Sequence, residues 1–316
     1  MLNLKRTRIL LTGGTGFLGT AVRRRLEATG VPSAQITIPR HSTHDLRQWE
    51  TCVDVVRDHD VVFHLAANVG GIGYNVAHPG QLFYDNAIMG VQLMEAARRA
   101  GTTKFIVVGT TCEYPEHAPV PLREESIWDG YPAPATAPYG LAKKMLLVQA
   151  EAYRREYGFH AIHLLPVNLY GPGDHFDPER SHVVPALIRK IADAKRLGHD
   201  AVSVWGSGKA TREFLYVDDA AEGIVLAAER YDDPKPMNLG TGTETTIAAL
   251  VQSICSIMGF TGAIQWDAAQ PEGFPRRCLD ATRAQREFGF VARTSLEEGL
   301  RTTIAWYESP ARVANV

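Results

Sequence analysis

Tyr139 and Lys143 stand four residues apart in Pro138-Tyr139-Gly140-Leu141-Ala142-Lys143, the spacing that puts two side chains on one face of a helix. A phenol gives up its proton reluctantly at neutral pH, and a cation one turn away stabilises the phenolate. Such a pair can pass a proton to or from a carbonyl or alcohol while a nicotinamide passes hydride. An ordinary amphipathic helix face can carry the same spacing. The catalytic reading gains weight because a strand, Lys104–Val108, precedes the pair and is closed by Thr110, whose hydroxyl would bond the same carbonyl oxygen.

A second constellation lies near the start, where Gly13-Gly14-Thr15-Gly16-Phe17-Leu18-Gly19 follows the apolar run Arg8–Thr12 and precedes a helical stretch from about Phe17 to Thr29. Glycines at 13, 16 and 19 let the backbone turn tightly, approach a pyrophosphate without a Cβ and aim helix amides at it. The strand–turn–helix context that this motif demands is present, so a dinucleotide site is expected. An NAD site would have an acid some twenty residues on; here Pro39-Arg40-His41 follows the second strand instead. Arg40 could meet a 2′-phosphate or be a solvated strand-end residue, and NADP(H) is favoured over NAD(H). Asp45 could reach the adenine amine or simply cap a helix.

These groups need elements to hold them. Strand-like runs at Arg8–Thr12, Gln35–Ile38, Val61–Leu65, Lys104–Val108 and His160–Val167 alternate with helical stretches, among them Ala87–Ala100 and Lys143–Tyr157. Strands that are apolar throughout and separated by helices indicate α/β architecture, with a doubly wound parallel sheet covered on both faces. After Gly171-Pro172-Gly173 the rhythm loosens into a basic helix around Val184–Arg196, a Pro-rich stretch at 271–275, a strand at Met237–Gly240 and a helix from about Ile247. The expected division is a dinucleotide-binding domain of 1–172 and about 213–243, with a smaller α+β lobe of 173–212 and about 244–316.

Composition narrows the classes further. With 45% hydrophobic and 22% charged residues, the 316-residue chain is globular rather than disordered. Lys and Arg total 33 against 35 acids, so no global basic field draws the chain to nucleic acid. No apolar run reaches membrane-spanning length and no signal-peptide core is present. Cys52, Cys112, Cys255 and Cys278 show neither CxxC nor metal-ligand spacing, so no metal is expected. A soluble, cytoplasmic protein with reduced thiols follows.

The cradle, Thr110 and the Tyr139/Lys143 pair together resemble the extended short-chain dehydrogenase/reductase family, whose members act on nucleotide sugars. The likeness spans essentially the whole chain. It extends through His64-Leu65-Ala66-Ala67, Val69-Gly70-Gly71-Ile72, Gly109-Thr110-Thr111-Cys112-Glu113-Tyr114-Pro115, Pro166-Val167-Asn168-Leu169-Tyr170-Gly171-Pro172, Phe176-Asp177-Pro178, Ser181-His182-Val183-Val184-Pro185, Trp205-Gly206-Ser207-Gly208 and Arg212-Glu213-Phe214. The resemblance implies a nucleotide-diphosphate sugar substrate bearing a 4-ketone, GDP-linked, with epimerisation at C3 and C5 followed by reduction at C4. The ketone acidifies both neighbouring C–H bonds, and inversion needs a base on one face and an acid on the other.

By motif, Cys112 matches the base and His182 the acid, while the other three cysteines read as structural. The resemblance further places Thr15, Phe17, Leu18, Leu46, Ala66, Ala67, Asn168 and His182 at the cofactor beside the glycines, Arg40, Asp45, Tyr139 and Lys143. Asn168, Lys190, Trp205, Arg212, Arg276 and Arg277 are implied for the substrate, and arginine forks suit a diphosphate. A homodimer through the Tyr139 helix and the 87–100 helix is implied too.

Two departures stand out. Thr110-Thr111 replaces the commoner serines but keeps the hydroxyl. Glu113 replaces an apolar or small residue, and its charge would raise the Cys112 thiol unless it points away. That leaves open the alternative of a related NAD(P)-dependent epimerase or 4-ketoreductase with a different sugar or nucleotide. A non-catalytic dinucleotide sensor is disfavoured, because such proteins lose the Tyr/Lys pair.

Overall fold

The structure is a computed structural model that describes residues 2–269 and 273–309, so residues 271 and 272 of the Pro-rich stretch lie outside the described residues. In chain order the elements are β1 (Ile9–Thr12), α1 (Phe17–Ala28), β2 (Ile36–Thr37), α2 (Trp49–Val56), β3 (Val61–His64), α3 (Ile72–Ala77), α4 (Pro79–Arg99), β4 (Lys104–Val108), α5 (Ala137–Tyr157), β5 (Ala161–Pro166) and β6 (Asn168–Tyr170). Then come α6 (Val183–Leu197), β7 (Ala201–Trp205), β8 (Thr211–Arg212), β9 (Phe214–Tyr216), α7 (Val217–Arg230), β10 (Met237–Leu239), β11 (Thr245–Thr246), α8 (Ile247–Met258), β12 (Ala263–Asp267), α9 (Thr282–Phe288) and α10 (Leu296–Glu308).

Six strands form one parallel sheet in the order β2-β1-β3-β4-β5-β10, which is the expected doubly wound α/β fold. The period of two along each strand explains why both faces are covered. Ile9, Leu11, Val61, Phe63, Ile106 and Val108 turn into one core with Val22 and Leu26 of α1 and Ile224 of α7. Their alternates Leu10, Val62, Phe105 and Val107 turn into another with Leu93 and Met94 of α4 and Leu146 of α5. The chain runs outward from β1 to β2 and then returns to β1's other side, so the direction of winding reverses between β1 and β3. Ligands of such sheets bind in the crevice beyond the strand ends at that reversal.

A separate core joins Val184, Leu187 and Ile191 of α6, Val202 and Val204 of β7, Leu250 and Ile254 of α8, and Leu300 and Ile304 of α10. Strands β7 and β12 pair in parallel beneath it. Helix α9 sits elsewhere, its Ala284 and Phe288 buried in the first sheet core. No helix among the described residues is long and apolar enough to cross a membrane.

Element edges differ from the sequence expectation in physically simple ways. The strand expected over 35–38 shrinks to Ile36–Thr37, because a 3₁₀ turn occupies Ser33–Gln35 and Pro39 brings no donor. Helix α4 begins eight residues before Ala87, with Pro79 at its start, where a missing N–H costs nothing. Helix α5 begins at Ala137 and includes Pro138 in its first turn, so Tyr139 is already helical and Lys143 lies one turn deeper.

Candidate active site

The Gly-rich turn sits at the β1 end of the reversal. Gly13 has φ +71°, and a methyl group there would stand 2.7 Å from the Ala66 nitrogen, so the turn and the end of β3 are in backbone contact. Ala66 and Ala67 thereby border the crevice. Gly16 caps α1 with no side-chain hydrogen bond to the first-turn amides, the arrangement that suits a pyrophosphate. A methyl on Gly19 would lie 2.0 Å from the Gly13 oxygen, which makes that glycine a packing requirement. Gly19→Ala is therefore expected to cost about 1–3 kcal/mol of stability and to weaken dinucleotide binding, as read by thermal melting and by quenching of tryptophan fluorescence with NADPH. The cradle fits the group that the motif implies.

At the ribose end, Arg40 is exposed just past β2 and makes no ion pair among the described residues. Asp45 is less available than the sequence suggested. Both its oxygens accept from Arg47, at 2.8–3.1 Å, and that pairing holds the carboxyl down to about 2 despite partial desolvation. Leu46 is buried in the α2–α4 core, and its carbonyl accepts from the Cys52 thiol at 3.1 Å.

Tyr139 and Lys143 are both buried on α5. The Lys143 ammonium donates to the Val108 carbonyl at the end of β4, 3.1 Å away. Burial pushes Lys143 down to about 8, opposed by the charge of Glu113. Lys143 in turn adds to the burial that lowers His64 to about 3, which places the ammonium near the ends of both β3 and β4. Contrary to simple phenolate stabilisation, Tyr139 is pushed well above the usual phenol range, first by burial and then by charge on Cys112 and Glu113. Burial dominates, and the Lys143 ammonium is engaged by the Val108 carbonyl rather than by the phenol.

Beyond β4, residues Thr111–Glu113 form one 3₁₀ turn capped by Thr110, whose Oγ1 accepts from the Cys112 N–H at 3.2 Å. Gly140 allows that turn to lie against α5, since a methyl there would stand 2.1 Å from the Cys112 oxygen. Cys112 thus packs with Tyr139, Tyr74 and Leu82. Glu113 points away from the thiol. It is fully buried, accepting from the Thr110 N–H at 2.9 Å and contacting His163 Nε2 at 2.9 and 3.1 Å.

The remaining predicted groups lie later in the chain, from β6 onward. His182 begins α6 with its ring still reaching water, yet surrounding protein and the nearby His175 lower its pKa. The 180–182 segment is tied to the sheet side: the Gly71 N–H donates to the Arg180 carbonyl at 3.0 Å, and Arg180 Nη2 donates to Tyr74 Oη at 2.7 Å while stacking on that ring. Asn168 Nδ2 donates to the Glu213 carbonyl at 3.0 Å. Lys190 donates to the Ser203 carbonyl and lies 5.6 Å from the ring of half-exposed Trp205. Arg212 Nη1 donates to the Thr211 and Phe274 carbonyls at 2.7 and 2.6 Å.

The two neighbouring arginines part company. Arg276 is exposed and paired with Glu244, with Nε 3.0 Å from Oε2. Arg277 is buried, stacks on Phe274 at 3.8 Å, and carries its charge against burial with help from Cys112, Tyr114 and Glu116.

Sequence reasoning missed a polar chain across the crevice. Arg47 reaches Asp85 (3.3 Å), Asp85 accepts from Asn68 Nδ2 (3.0 Å), and Asn68 Oδ1 accepts from Tyr74 Oη (3.2 Å), which Arg180 then meets. The only sequence signal for it was the Val69-Gly70-Gly71-Ile72 segment, where Gly71 is needed because a methyl would stand 2.6 Å from the Ser181 oxygen.

Known proteins share this arrangement. Residues 9–240 match the model of the NAD dependent epimerase/dehydratase family. The chain is 35% identical over 315 residues to the GDP-L-fucose synthase of Escherichia coli (strain K12), covering 96% of this chain and 97% of that protein. It is also 35% identical over 304 residues to the probable GDP-L-fucose synthase 1 of Oryza sativa subsp. japonica, covering 95% and 92%. A GDP-L-fucose synthetase structure from Naegleria fowleri superposes with a TM-score of 0.91 at 26% identity, covering 100% of this chain and 97% of that one. With the cradle, the Tyr139/Lys143 pair and the reversal all in place, the chain belongs to the NAD dependent epimerase/dehydratase family.

Proposed function

We propose that this enzyme epimerises GDP-4-keto-6-deoxy-D-mannose at C3 and C5 and reduces C4 with NADPH, yielding GDP-L-fucose. The observation that carries the reading is the packing of Cys112 against Tyr139 in a frame that is alike, over nearly its full length, to GDP-L-fucose synthases. A thiol base beside a phenolic acid is what two inversions and one reduction at adjacent carbons require.

Cys112 takes the protons at C3 and C5, whose loss is eased by delocalisation onto the C4 oxygen. Arg277 is near enough for its charge to interact with Cys112. His182 delivers protons from the opposite face; because the surrounding protein and His175 disfavour its charged form, its imidazolium gives up a proton readily. Tyr139 keeps its proton at neutral pH because burial raises it, and it releases that proton to the far more basic C4 alkoxide. Thr110 holds the same oxygen, and Lys143 compensates the charge left on the phenol. When bound on the Gly13–Gly19 turn, the nicotinamide supplies the hydride.

We place the dinucleotide in the sheet domain and the nucleotide diphosphate between Arg212, Arg277, Lys190 and Trp205 of the lobe side, with Asn168 between them. Helices α4 and α5, which expose Phe83, Tyr84, Met145 and Val148, form the homodimer face in this reading. A cytoplasmic setting agrees with four free cysteines. Preference for NADPH rests on Arg40. Arg40→Ala should weaken NADPH binding about tenfold, the loss of one charge-assisted contact, and leave NADH binding unchanged in the same fluorescence titration. NADPH oxidation on adding GDP-4-keto-6-deoxy-D-mannose tests the whole reading; turnover of other keto-sugar nucleotides with none of this one would reject it.

A further inference from the structure

Lys143 is a buried ammonium with no carboxylate at ion-pair distance among the described residues; its hydrogen bond goes to a neutral carbonyl. An isolated buried charge is costly unless an opposite charge shares its low-dielectric surroundings. Glu113 is a buried acid in those surroundings: Val108 is followed by Gly109, where a methyl would lie 2.3 Å from Glu113 Oε1, and the Glu113 charge acts on Lys143. We propose that Glu113, held as an anion by His163, is the counter-charge of Lys143 and the residue that positions Thr110 for the reduction. This rests on the reading of Tyr139 and Lys143 as the reducing pair.

The geometry is specific. Glu113 Oε1 accepts from the Thr110 N–H at 2.9 Å, which fixes the residue whose hydroxyl faces the reacting oxygen. His163 Nε2 meets both carboxylate oxygens, at 3.1 and 2.9 Å, from the middle of β5. Both side chains are completely buried. Gly109 completes the fit, because a methyl there would lie 2.3 Å from Glu113 Oε1 and 2.4 Å from His163 Nε2. The other ring nitrogen, Nδ1, is buried without a partner among the described residues. A second N–H there would be stranded, whereas a bare lone pair is tolerated, so the ring is neutral with its one proton on Nε2 facing the carboxylate.

The pair therefore carries a net negative charge. Facing it are Tyr139, Lys143 and Lys144 from α5 and Tyr114 on its own segment, each of which its field touches. His64 faces Lys143 from β3 and stays neutral. Glu113 is a positioning residue in this scheme: it touches neither substrate nor cofactor and acts through Lys143 and Thr110.

The test is to follow Lys143 directly in the full-length protein by NMR with lysine ¹³C-labelled at the ε carbon, its signal assigned by loss in Lys143→Met. The wild-type signal should titrate near pH 8. Glu113→Gln, which keeps an acceptor for Thr110 but no charge, should lower that midpoint by about one pH unit; an unchanged midpoint overturns the proposal. His163→Gln, which still donates to the carboxylate, should leave the midpoint where it is, and an upward shift would show that the ring carried charge and overturn it. If Glu113→Gln does not fold, the double Glu113→Gln/His163→Gln variant, with two complementary amides, must show the same fall. The alkaline limb of NADPH-dependent reduction should move with the NMR midpoint. A moved midpoint with an unmoved limb supports the counter-charge and places the fault in the catalytic reading of Lys143.

Discussion

Replacing Tyr139 by Phe should cut NADPH-dependent reduction at C4 about a thousand-fold, within the range that a positioned acid contributes, and leave the affinity for NADPH within about twofold, since only one donor among many contacts is lost. The size follows from what the phenol does. In the proposed reaction negative charge collects on the ketone oxygen as it gains hydride, and buried Tyr139 is the acid assigned to neutralise it. Phe fills the same space against Tyr74, Leu82 and Cys112, so packing survives. Hydrogen exchange at C3 and C5 should continue in this variant, because neither Cys112 nor His182 depends on the phenolic proton. Stopped-flow absorbance of NADPH and proton NMR of the sugar separate the two steps.

Cys112→Ser should have the reciprocal signature. Deuterium incorporation from solvent at C3 and C5 should fall about a hundred-fold or more, while some C4 reduction continues and yields sugar that has not been inverted. A hydroxyl has almost no anion at neutral pH and cannot serve as a carbon base, even with the Arg277 guanidinium nearby. Serine is small enough to keep the close approach to Gly140, where the Cys112 carbonyl leaves no room for a methyl. The loss would therefore report on chemistry. Retained exchange in this variant would remove Cys112 from its role.

The parts of the fold legible in the sequence were those governed by short-range rules. The Gly13–Gly19 turn was readable because a positive φ and two close backbone approaches leave no choice of residue. The sheet strands were readable because nearly every side chain in them is buried, giving unbroken apolar runs. Tyr139 and Lys143 were readable because helical spacing is local.

What stayed hidden depended on partners far along the chain. Whether Glu113 faced Cys112 or turned away was decided by His163 on β5 and by the capping of Thr110. Adjacent Arg276 and Arg277 looked equivalent, and only Glu244 and Phe274 distinguish them. Asp45 looked free, but Arg47, two residues on, binds both its oxygens, an interaction that depends on how the loop turns. The Tyr74–Arg180 contact joins segments whose nearness only the folded chain creates. Pair chemistry within one helix or one turn shows itself in sequence; pair chemistry between elements does not.

In the proposed reaction one site inverts two carbons through Cys112 and His182 and reduces a third beside Tyr139. The most direct measurement is NMR of the product formed from GDP-4-keto-6-deoxy-D-mannose and unlabelled NADPH in D₂O. The expected product is GDP-L-fucose with deuterium at C3 and C5 and protium, delivered from the cofactor, at C4. A product carrying protium at C3 and C5, or deuterium at C4, would contradict it.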